Sequence, residues 1–121
     1  MKQKDILRAY SSLIALNALK LPVKKAYAIY KLFKTVDTQY QFISSESKKS
    51  IDRHSGELNS DGMVKFKDED ECVECKKELN ELNDMDVDVE ITPVELSEDD
   101  LAGQTISPAD IYNLEGFVTF V

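Results

Sequence analysis

Tryptophan is absent from this chain, histidine occurs once, as His54, and cysteine only at Cys72 and Cys75. A single histidine excludes the paired-histidine helix motif of zinc proteases. One histidine and two thiols also fall short of a closed zinc site, unless carboxylates or a second copy complete the ligand set. No G-x-S-x-G elbow and no phosphate-cradling glycine loop occurs. Four glycines and three prolines exclude collagen-like and low-complexity classes. No run of about 18 apolar residues exists, so no membrane-spanning helix and no membrane partner are predicted. The opening MKQKDILRAY puts Asp5 and Arg8 where a signal peptide needs an apolar stretch, so export by that route is not expected. With so few of the usual catalytic groups, the chain is expected not to be an enzyme and to need no cofactor and no metal.

What the chain has is charge, distributed unevenly. Its 121 residues, 42% hydrophobic and 31% charged, fit one domain over 1–121 with a modest core. Residues 1–55 carry a balance of +7 and residues 56–121 one of −15, which together give the net −8. A helical basic half and an acidic α+β half are therefore expected. Such halves can satisfy each other within one chain or between copies, or face different partners.

Helical periodicity opens the chain. From about Lys4 to Leu19, Ile6, Leu7, Tyr10, Leu13, Ile14 and Asn17 recur on one stripe. Pro22 interrupts and predicts a new helix starting there. Ala26, Ile29, Phe33, Val36, Tyr40 and Ile43 then follow a heptad seam. In the same register the seam meets Ser47, Ser50 and His54, so its apolar part ends near Ile43, and Gly56 is the expected stop. A helix over 22–55 would be about 51 Å long and needs company along its seam, from other helices or from a second copy.

Asp61-Gly62 signals a turn, and Met63–Phe66 a short strand. Asp68 is the expected N-cap of a helix over 68–83, with Glu71 as capping-box partner and Cys72, Cys75, Leu79 and Leu82 as its apolar stripe. Val87, Val89 and Ile91 alternate with Asp86, Asp88 and Glu90, the pattern of a strand with one acidic face, extended past Pro93 by Val94 and Leu96. Ser97 with Asp100, and Ser107 before Pro108, read as starts of short helices. The apolar terminus Phe117–Val121 should fold back onto the rest.

Three constellations invite functional readings. Cys72 and Cys75 form a C-x-x-C on the apolar stripe and are expected to be core residues; a metal shared between copies and redox chemistry are the alternatives. Asp84, Asp86, Asp88 and Glu95 match some calcium-loop positions, but Val89 stands where that loop needs glycine, and the strand explains the same residues. Lys24, Lys31 and Lys34 share one side of the long helix with Tyr27, opposite the seam. Lysines around an aromatic suit phosphate contact and stacking, yet the overall acidity argues against nucleic acid as a partner and for docking on an acidic protein surface. His54, in a serine-rich setting, reads as a surface histidine.

The order LPVKKAYAIYKLFK, SDGMVKF, KDEDECVECKKELNELND, VDVEITPVEL, ISPADIYNLEGFV resembles small uncharacterised proteins encoded by phages and prophages, over about residues 20–120. The resemblance implies a bacterial host cytoplasm, and it supplies no established activity and so no functional residues to carry over. The expected fold class is α+β: two to three helices, one of them long, packed with a small antiparallel sheet from 63–66, 86–96 and 117–121. The expected function is a protein–protein interaction module, homo-oligomeric, whose partner is itself or a host protein. Its working surfaces would be the basic stripe Lys24, Tyr27, Lys31 and Lys34 and the acidic face Asp68, Glu69, Asp70, Glu71, Glu74, Asp86, Asp88 and Glu90. The alternative is an acidic inhibitor that imitates nucleic acid toward a host enzyme.

Overall fold

The computed structural model describes residues 1–54, 56–58 and 60–121, so Ser55, the expected last residue of the long helix, lies outside the described residues. Helix α1 (Gln3–Asn17) and helix α2 (Val23–Arg53) are joined by a short turn and pack as an antiparallel hairpin. Asp5 accepts the Lys2 amide at 2.9 Å and closes the start of α1. Pro22 is the N-cap of α2 and not its first helical residue. At 31 residues, α2 is about 46 Å long.

The hairpin holds most of the core. Ile6, Ala9, Leu13 and Leu16 of α1 meet Ile29, Leu32, Val36 and Ile43 of α2. The α1 stripe is thus rotated from the expected one, leaving Ile14 and Asn17 exposed. On α2, Ile29, Val36 and Ile43 hold their seam positions, while Leu32 is buried and Ala26 is exposed. Each buried Leu, Ile or Val among them contributes about 1.5–3 kcal/mol. Tyr10 locks the middle: its ring stacks on Tyr40 at 3.7 Å and on Phe33 at 5.8 Å, and its hydroxyl donates to Asp37 at 2.9 Å.

Helix α3 (Glu69–Asn83) lies along the rear of α2. Asp68 caps it, accepting the Glu71 amide, but the Glu71 side chain does not return to complete a capping box and is used elsewhere. Helix α4 (Glu98–Leu101) has the full box, Ser97 with Asp100. Helix α5 (Pro108–Asn113) starts at Ser107. It docks on α1 through buried Ser12, which donates to Asp110 at 2.7 Å and accepts from Asn113 at 3.2 Å.

The expected single antiparallel sheet does not form. Five helices dominate the described residues, with two separate two-stranded sheets. Strands β1 (Glu57–Leu58) and β2 (Val64–Lys65) form an antiparallel hairpin; a side chain at Gly56 would come within 2.6 Å of Ile51 and 2.9 Å of Val64, so glycine is required there. Strands β3 (Val94–Leu96) and β4 (Val118–Phe120) pair in parallel. The connection through α4 and α5 is a helical crossover, which brings the terminus back in the same direction. Residues 86–93 are not a strand: Asp86 makes one isolated bridge to Lys2, and the Val87 amide donates to the Met1 carbonyl. Val87, Val89 and Ile91 do alternate in burial, half-buried against exposed Asp88 and Glu90, but Val87 and Ile91 lean on the core and no neighbouring strand among the described residues pairs with the segment.

Candidate protein-interaction surface

The front half of α2 turns a basic and aromatic face to solvent. Lys24, Lys31 and Lys34 are exposed, and none is in an ion pair among the described residues. Tyr27 is 60% exposed, and the Lys31 ammonium sits 4.8 Å from its ring centre. The structure adds two residues that the sequence reading missed: Val23, 85% exposed, and Tyr30, 51% exposed. With Tyr27 and Lys34 they follow i, i+4, i+7, i+11, one ridge along the helix.

Beside this ridge, residues 90–95 run past α2 and leave a groove of about 630 Å³. Ala28, Leu32, Ile91, Pro93 and Val94 give it an apolar lining. Lys24, Lys25 and Lys31 stand on the α2 side and Glu90 and Glu95 on the other. Lys25 is already engaged: its ammonium donates to the Glu95 carbonyl and lies 3.9 Å from Asp100. That contact covers the open edge of β3, where an added strand would need the carbonyl. Lys24 and Lys31 of the basic stripe and one end of the acidic segment, Glu90, therefore share one concave site, while Tyr27 and Lys34 lie outside it.

The rear of α2 is built differently. Ser50, at a seam position, is 5% exposed and donates to Glu78 Oε2 at 2.6 Å, with its Oγ 3.8 Å from Cys75 Sγ. Arg53 donates to the same Glu78 oxygen at 3.0 Å. His54 Nδ1 lies 2.7 Å from Glu71 Oε2 and Nε2 lies 3.0 Å from Glu78 Oε1. The Nε2 contact is an ion pair by distance but lacks hydrogen-bond alignment, so the Glu71 bond orients the ring. Glu78 first and Glu71 second hold the imidazole pKa above its ordinary value against the opposing effect of desolvation. Glu78 is held below the usual carboxylate range, chiefly by the Ser50 hydroxyl and then by His54. The expectation of a solvent histidine is thereby corrected: the His54 side chain is 14% exposed and clamped between two carboxylates. The two carboxylates meet opposite ring nitrogens and cannot converge on one ion. Among the described residues, no cluster of three or more His, Cys, Asp or Glu side chains is arranged to hold a metal.

The expected acidic face is divided by these contacts. Asp68 is spent on the cap, Glu71 on His54, and Asp86 on Lys2 at 2.8 Å, where each partner reinforces the other's charged form. Glu69, Asp70, Glu74, Asp88 and Glu90 remain exposed without an ion pair among the described residues. Lys4 pairs with Asp84 at 3.5 Å, so two members of the candidate calcium set are held by lysines. Cys75 is fully buried and Cys72 half-buried; both are free thiols. Ion pairs between the halves thus cluster at the start of α1, at the rear of α2 and at Lys25, and pass over the front stripe. No described helix is long and apolar enough to cross a membrane. Comparison with protein families, curated proteins and solved structures finds no match to the chain.

Proposed function

We propose that the protein is a non-enzymatic protein-interaction module of phage or prophage origin, acting in the bacterial cytoplasm as a homo-oligomer and docking through the front of α2. One observation carries the reading. Lys2, Lys4, Lys25 and Arg53 find carboxylates elsewhere in the chain; of the cations left outside any ion pair among the described residues, Lys24 and Lys31 border an apolar groove and share their helix face with Lys34 and exposed Tyr27. Exposed tyrosine beside cations and an apolar recess is the composition of a protein contact. Glu90 and Glu95 on the groove's far wall oppose phosphate entry, which disfavours nucleic acid. The duplex-imitating alternative loses support because Asp68, Glu71 and Asp86 are already committed within the fold.

A photo-cross-linking residue at Tyr27, introduced in expressing cells, tests the proposal. A discrete protein adduct that Lys24→Glu/Lys31→Glu abolishes supports it. Adducts with nucleic acid alone, or no adduct, overturn it.

A further inference from the structure

We infer that the groove between α2 and residues 90–95 receives the first two turns of α3 from a second copy of the chain. The inference rests on the interaction reading above and supplies its occupant. The groove asks for an apolar side chain over Ala28, Leu32 and Val94, carboxylates toward Lys24 and Lys31, and cations toward Glu90 and Glu95.

The solvent face of α3 carries those groups in order. Val73 is 56% exposed, although it lies in the middle of the acidic turns. Glu69 and Asp70 precede it, and Lys76 and Lys77 follow it on the same face, all exposed and outside any ion pair among the described residues. At 1.5 Å per residue, Glu69 and Lys76 stand about 10 Å apart along the axis, so the carboxylates and the lysines lie on opposite sides of Val73. Laid across the groove, α3 would place its carboxylates against the α2 wall and its lysines against the opposite wall, with Val73 between.

Within one chain this contact cannot form. The opposite face of α3 is fastened to the rear of α2 through Cys75, Glu71 and Glu78, so Val73 points away from its own helix and from the groove at the front. Complementary charge on two separate patches of one molecule is a means of self-association.

Sedimentation equilibrium across micromolar to millimolar protein tests it, on wild type, Lys24→Glu/Lys31→Glu, and Glu69→Lys/Asp70→Lys. All four positions are solvent-exposed, and circular dichroism verifies that each variant keeps its helices. Wild type should gain mass with concentration, and each variant should associate at least about tenfold more weakly. An equimolar mixture of the two variants should recover association, because reversed groove meets reversed helix and native groove meets native helix. Zero-length carbodiimide coupling of the unmodified protein should join Lys24 or Lys31 of one copy to Glu69 or Asp70 of another. A wild type that stays monomeric, variants that associate as it does, or folded variants that fail to complement would each overturn the inference. A strict monomer that still gives the Tyr27 protein adduct would end self-docking, and with it the homo-oligomer, while leaving docking of a different protein on the front of α2 in place.

Discussion

At its front, α2 holds Lys24, Tyr27, Lys31 and Lys34 against solvent; at its rear, the same helix holds Ser50, Arg53 and His54 against Glu71 and Glu78 of α3. Both stretches are basic, and both lie beside acidic sequence in the fold. The difference is made by where the acidic helix lands. A cation next to a docked carboxylate becomes part of the scaffold, while one left over a groove keeps its charge for another molecule. Composition counts the two alike, and only packing separates them.

The strongest disturbance should strike both ends alike, because one hydrophobic stripe supports them. Ile29 at the front and Ile43 at the rear are each 1% exposed. Ile29→Ala and Ile43→Ala should each cost about 2–5 kcal/mol in urea unfolding. A much smaller loss at Ile29 would mean that the front is loosely built and its groove is not a standing feature.

Next come substitutions that break the comparison at the rear alone. Glu78→Ala leaves Ser50, Arg53 and His54 facing an empty place, and should lower the melting temperature more than any single substitution in the front stripe. Ser50→Ala removes one buried hydroxyl bond to a charged carboxylate and should cost about 1.5–3 kcal/mol.

The rear end should also respond to pH where the front does not. The His54 pKa is raised above its unfolded value, so its stabilisation is complete below about 6.5 and is lost as pH climbs through the raised folded value. Glu78 is lowered, so its share is present above about 4.5 and is lost as pH falls through the depressed folded value. The clamp therefore works best between these limits. Denaturant midpoints measured from mildly acidic to alkaline pH should fall on the alkaline side for wild type, and His54→Gln should flatten that fall. An unchanged alkaline slope in His54→Gln would remove the clamp from the account.

Much of this architecture was written locally and could be read there. The caps at Asp68, Ser97 and Ser107, and the long helix from the Pro22 signal to the end of the seam, depend on neighbours within a few residues. The sheet was not readable. Alternation at Val87, Val89 and Ile91 reports which side is buried, and the same burial arises whether a segment pairs with a strand or leans on helices. The parallel pairing of residues 94–96 with 118–120 is a long-range choice, set by the crossover. The His54 clamp had a faint signal: Ser50 and His54 continue the α2 seam, and Glu71 and Glu78 flank the Cys72–Cys75 stripe one turn apart from its centre. Polar groups that continue two helix stripes can face each other, but neither stripe names its partner. The basic stripe was legible because an unpaired face needs only helical periodicity; the groove beside it was not, because its other wall comes from residues 90–95.

The smallest effects belong to that stripe. Lys24→Ala and Lys34→Ala should each change unfolding free energy by no more than about 0.5 kcal/mol, as expected for surface groups without partners. A loss above that would show that these lysines brace the fold and are not held in reserve.

Lysine acylation footprinting at rising protein concentration tests the central claim most directly. In dilute solution Lys24 and Lys31 should acylate rapidly, while Lys25, bound to the Glu95 carbonyl and close to Asp100, reacts slowly. As concentration rises, Lys24 and Lys31 should become protected together. Lys25 reacting as fast as Lys24 in dilute protein, or Lys24 and Lys31 remaining equally reactive at every concentration, would contradict the account.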